Sequence, residues 1–136
     1  MRVRRLAVVA GRYRRGMAER PRTTIPRVTA LVSDCPIETT LAVIGGRWKG
    51  AILQHIAVTG ESRPAALRRR LPEVSEAVLL RQLGELVEDG ILERRGGKTY
   101  PLRVTYALTD YGATLGPVLE AMCAWGSARQ ARGRER

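Results

Sequence analysis

The residues best suited to chemistry fall into four groups. Cys35 is a thiol at the start of an expected helix, a setting in which a thiolate can react with oxidants and electrophiles. Ser75, Glu76, Ala77, Leu80 and Arg81 occupy the first turns of a capped amphipathic segment, where side chains can reach base edges in a major groove. Arg81 suits guanine, Glu76 can accept from cytosine N4, and Leu80 suits a thymine methyl. Glu76 equally serves as a favourable first-turn charge on the helix dipole. Arg94, Arg95, Lys98 and Arg103 surround the loop between two short β-runs just downstream, placed to meet phosphates or the minor groove. Arg68, Arg69 and Arg70 read either as a solvated face or as a cluster of which one or two approach a nucleic acid.

Other chemistries find less support. A thiol enzyme built on Cys35 lacks a general base, because His55 is the only histidine and lies on a different expected helix. Cys35 and Cys123 form no CxxC pair, which argues against a zinc site or a disulfide framework and fits a reducing cytoplasm. No cofactor is called for. Cys35 stands between two readings, a redox sensor and a small apolar packing residue, and Cys123 reads as packing.

These groups need elements to position them. Cys35 and Pro36 predict a helix to Ile44, stopped by Gly45 and Gly46. Trp48, Ile52, Leu53 and Ile56 predict a second helix over 48–58. Ser62 is expected to cap a third, Pro64 to Leu71, followed by a turn to Val74. Ser75 then caps a helix over about 75–89, with Leu79, Leu83, Leu86 and Val87 as its apolar stripe and Asp89-Gly90 as its end. From Ile91 the period changes to that of strands, Ile91–Arg95 and Arg103–Leu108, with a wing loop at 96–102. Thr109 is expected to cap the last helix, which Pro117 should bend and which should fade after Gly126.

That last helix carries Leu115, Val118, Leu119, Met122 and Trp125, more apolar surface than a small core needs. With Leu41 of the first helix it is expected to form a two-fold dimer interface, the alternative being that it only completes its own core. The fold class is mainly α with a small β-hairpin, a winged helix-turn-helix whose N- and C-terminal helices meet a second copy.

The chain has 136 residues, 44% of them hydrophobic, and a formal charge of +11, enough for one domain and an anionic partner. Residues 1–34 hold nine arginines against Glu19 and Asp34, a net +7, leaving only +4 for the other 102 residues. The excess therefore belongs to a tail, and the domain's claim on nucleic acid rests on geometry. Residues 1–32 are expected to be a disordered basic tail, 33–130 the folded domain and 131–136 a disordered basic end. Met17 is an alternative start, since nothing before it shows a structural period. The opening apolar run is too short for a signal peptide, and no run approaches a membrane span.

Two functional classes remain. One is a dimeric regulator that reads double-stranded DNA with the helix over 75–89 and a wing over 94–103. The other is a non-specific basic protein that binds through the arginine-rich tail. With 4% aromatics there is little to stack on unpaired bases, which disfavours single-strand recognition.

An ordered set of residues resembles the HxlR-type branch of bacterial winged helix-turn-helix regulators, which are MarR-like. It comprises Cys35-Pro36 with Glu38 and Leu41; Ile44 through Lys49; Leu67 through Pro72; Val74-Ser75, Leu79, Leu83 and Leu86; Glu88-Asp89-Gly90; and Val104, Tyr106 through Thr109, and Gly112. The resemblance spans about Cys35 to Trp125. It implies a cytoplasmic homodimer on operator DNA, often responsive to small molecules or reactive species, in some members through a cysteine at the Cys35 position. It also implies Trp48 in the core, with Arg47 or Lys49 near the DNA backbone. Arg63-Pro64-Ala65-Ala66-Leu67 departs from the family's usual Arg-Phe-Asn-Glu-Leu. Ala77 and Leu80 stand where basic or polar residues are common, so base preferences do not transfer.

Overall fold

Proline and glycine punctuate the helices of the computed structural model, which describes residues 35–97 and 103–135. Pro36 opens α1 (Pro36–Ile44) and Pro64 opens α3 (Pro64–Arg70), each in the first turn, where its missing N–H has no partner to lose. Between them α2 spans Lys49–Thr59 and ends at Gly60, whose φ of 89° an L side chain would resist. Ser75 caps α4 (Glu76–Glu88), its Oγ accepting from the Val78 N–H at 3.2 Å. The expected tail over 1–32 lies outside the described residues.

The sheet differs from the expected two-stranded hairpin. Strands β2 (Leu92–Gly96) and β3 (Val104–Leu108) pair antiparallel, with Leu92 opposite Leu108 and Gly96 opposite Val104. A third strand, β1 (Glu61–Ser62), pairs with the other edge of β3, giving the order β1-β3-β2. Ser62 is therefore a strand residue opposite Tyr106 rather than a helix cap. The cap position of α3 falls to Arg63, which makes no side-chain cap bond.

The expected apolar stripes converge. Ile52, Leu53 and Ile56 of α2, Leu67 of α3, and Leu79, Leu83 and Leu86 of α4 are all fully buried, with Ile91 and Leu92 closing the core at the foot of the hairpin. Burial then falls away along β2, through Glu93 to the exposed Arg94, Arg95 and Gly96, so the hairpin leaves the core as it extends.

Thr109 joins the sheet to the last helices, but not as the cap of the long one. Its Oγ1 accepts from the Gly112 N–H at 2.8 Å, opening a short 3-10 turn over Gly112–Leu115, and its N–H donates to the Ile91 carbonyl at 3.1 Å. Gly112 passes so close to this carbonyl that a Cβ there would sit 2.0 Å from the Ile91 oxygen. Helix α5 then runs from Gly116 to Arg134. Pro117 lies in its first turn, so no interior bond is lost and the bend expected from sequence has no cause. Nor does the helix fade after Gly126: Ala, Gln and Arg carry it on, with residues 131–134, expected to be disordered, in its last turns. Among the described residues no helix is long and apolar enough to cross a membrane.

Candidate nucleic-acid interface

Helices α3 and α4 form the helix-turn-helix. Leu71 closes α3 by donating to the Leu67 carbonyl at 2.8 Å, and the buried Val74 donates back to the Leu71 carbonyl at 3.1 Å. This tight turn delivers the start of α4 to the surface. Because Leu79, Leu83 and Leu86 face the core, the 3.6-residue period turns Ala77, Leu80 and Arg81 to solvent, together with Ser75 and Glu76. Leu80 is 44% exposed on this outward face.

Three of the flanking arginines, Arg47, Arg68 and Arg95, are exposed but already engaged with carboxylates. Arg47 stacks over the Trp48 ring at 4.7 Å and donates to the Glu73 carboxylate at 2.6 Å. Trp48 itself is half-buried against the core. Arg68 lies 3.8 Å from Glu76 in the first turn of α4, while Arg69 and Arg70 are exposed in the last turn of α3. On β2, Arg94 is exposed, and Arg95 donates through Nε to Glu93 at 2.7 Å and lies 3.5 Å from Glu61. The Glu93 hydrogen bond, then its charge, raises the Arg95 guanidinium above its usual value. Arg103 is exposed beside β3. Lys98 and most of the wing loop lie outside the described residues.

Lys49 corrects one expectation. It is only 7% exposed, with Nζ 2.7 Å from Glu85 of α4, so it turns inward and ties α2 to α4 instead of facing a DNA backbone. The carboxylates were not singled out from sequence as partners of the arginines. Glu93 and Arg95, two apart on one strand, share a face, a usable signal. Arg47 and Glu73 are 26 residues apart and carry none.

The dimer candidates divide. Val118, Met122 and Trp125 are exposed on one side of α5 and, with Pro117 and Ala121, line an apolar groove; Trp125 is 73% exposed. Leu41 of α1 is exposed, with Ile37 beside it. Leu119 instead belongs to the chain's own core and Leu115 packs against that core, which takes both out of an outward face. Cys35 and Cys123 are exposed and not disulfide-bonded. Cys35 holds the cap position of α1, and the exposure of Cys123 makes it a surface residue of α5 rather than the packing residue expected from sequence. Among the described residues no group of three His, Cys, Asp or Glu is arranged to hold a metal.

Comparison with known proteins agrees with this geometry. Residues 43–133 match the family model for the HxlR-like helix-turn-helix. The HTH-type transcriptional regulators YdeP and YybR of Bacillus subtilis are 44% and 41% identical, over 68% and 71% of this chain and 71% and 76% of theirs. Among solved structures, the redox regulator HypR in its reduced form superposes with a TM-score of 0.70 at 37% identity, covering 75% of this chain and all of HypR. YodB from B. subtilis, also reduced, gives 0.59 at 33% identity over 67% of this chain and 89% of its own. A winged helix-turn-helix with its basic hairpin beside an outward-facing helix, matched over two thirds of its length, thus belongs to the HxlR-like family of DNA-binding transcriptional regulators.

Proposed function

We propose that the chain is a dimeric, sequence-specific operator-binding regulator that reads the major groove with α4 and grips the adjacent backbone with its hairpin. The carrying observation is the outward face of α4, where Glu76 and Arg81 stand exposed just after the capping Ser75 and next to the arginines that end α3. Arg47, Arg68 and Arg69 flank this helix as phosphate contacts, and Arg94, Arg95, Lys98 and Arg103 serve the wing. Two copies meet through Leu41, Val118, Met122 and Trp125, which places two α4 helices on successive turns of one DNA face.

DNase footprinting upstream of its own gene and its neighbours tests this reading, with the intact chain and with residues 1–30 deleted. A protected pair of half-sites about one helical turn apart, retained after deletion, is expected. Loss of all specific protection on deletion would instead assign binding to the arginine-rich tail. Trp125→Glu should convert the dimer to monomer in sedimentation and abolish the paired footprint.

An oxidant effector acting at Cys35 is supported by the exposure of this thiol at the start of α1 and by the likeness to HypR, a redox regulator. Cys35→Ser should keep DNA binding and lose any oxidant response of the footprint.

A further inference from the structure

Two carboxylates bracket the Ser75 cap, at the end of the protein that the proposed complex turns towards phosphates. Glu73, in the turn, holds Arg47 at 2.6 Å; Glu76, in the first turn of α4, lies 3.8 Å from Arg68. All four side chains are open to water, from about half to nearly three quarters of their surface. Such exposed pairs are weak and easily exchanged, so they do little for the fold. Their effect on a polyanion is larger. A phosphate reaching either arginine must displace a carboxylate, and the displaced charge stays close enough to repel it through less than a Debye length.

We propose that Glu73 and Glu76 suppress indiscriminate DNA binding by occupying Arg47 and Arg68, and that Glu76 thereby also determines specificity. The proposal rests on the groove reading of α4 given above. A loosely held complex on arbitrary sequence is made almost wholly of phosphate contacts and bears the whole cost of the exchange. A fitted complex recovers part of it, because the Glu76 carboxylate released from Arg68 can accept from a cytosine N4 in the groove, and only where that base is present. Lys49–Glu85, by contrast, is buried and plays no part in this exchange.

The test uses the full chain and two fluorescein-labelled 24-base-pair duplexes, one carrying the footprinted site and one of scrambled sequence, titrated by anisotropy at several salt concentrations. Glu73→Gln and Glu76→Gln should each tighten binding to the scrambled duplex roughly two- to fivefold and steepen its salt dependence by up to about one counterion, and Glu76→Gln should gain less on the footprinted site; an equal gain on both would overturn the specificity role of Glu76. Tightening cannot come from damage to the fold. In a double-mutant cycle, Arg47→Ala should erase the gain from Glu73→Gln, whereas a gain that survives Arg47→Ala would be a general charge effect and would overturn the proposal. Unchanged or weakened binding by both glutamine variants overturns it too, and leaves the groove reading intact if Arg47→Ala and Arg68→Ala weaken the wild type. If neither arginine variant weakens binding, the DNA lies elsewhere and both inferences fall.

Discussion

Replacing Lys49 by methionine removes one charge from the pair that joins α2 to the back of α4. The Lys49 side chain retains 9% of its exposure and that of Glu85 23%, with 2.7 Å between Nζ and the carboxylate. Breaking a buried pair from one side costs about 3–5 kcal/mol, because the remaining charge keeps its desolvation and loses this counter-charge. The residual access of Glu85 to water puts this site at the lower end, about 3 kcal/mol, or roughly 12–24 °C in Tm for a domain of about 100 residues. Adding Glu85→Leu removes the carboxylate as well and should recover part of that loss. Urea denaturation followed by circular dichroism measures both, with the slope unchanged if only stability moves. The exposed Arg47–Glu73 pair provides the contrast, since Arg47→Ala should cost no more than about 1 kcal/mol. A Lys49→Met protein within about 1 kcal/mol of wild type would refute the reasoning, because the amine would then be solvated.

Other substitutions probe the elements that place α4 and the hairpin. Gly112→Ala should destabilise by several kcal/mol, seen as a lowered urea midpoint, because its Cβ would lie 2.0 Å from a backbone oxygen that cannot swing away. Gly84→Ala should raise stability by about 1 kcal/mol in the same assay, since a Cβ at that interior position of α4 meets nothing within 4 Å. Ser75→Ala removes the bond to the Val78 N–H and should cost about 1 kcal/mol, with faster amide exchange in the first turn of α4.

Much of this fold was legible because long helices advertise themselves twice, in an apolar stripe and in their ends. Leu79, Leu83 and Leu86 gave the buried side of α4, and Ser75 its start. What was missed follows from missing one of those signals. Strand β1 is two residues long, too short to alternate, and its Ser62 looks like a cap because serine so often is one. The far half of α5 buries nothing, so it has no stripe, and only helix propensity sustains it past Gly126. Pro117 was misplaced because the short turn over Gly112–Leu115 shifts the helix start to Gly116. At the candidate interface, residue types pointed to a surface but not to the carboxylates that its arginines and lysine meet there. Lys49 sits two residues from Arg47 and has the opposite fate, decided by Glu85, a contact that no local pattern encodes.

The claim on which the rest depends is that the exposed face of α4 reads bases. It is tested most directly by Arg81→Ala on the footprinted fragment and on versions of it carrying each single base-pair change. The expected result is a loss of about 1–3 kcal/mol on the original site, with preference abolished at one position of each half-site and kept at the others. A base-preference profile identical to that of the wild type at every position would contradict it.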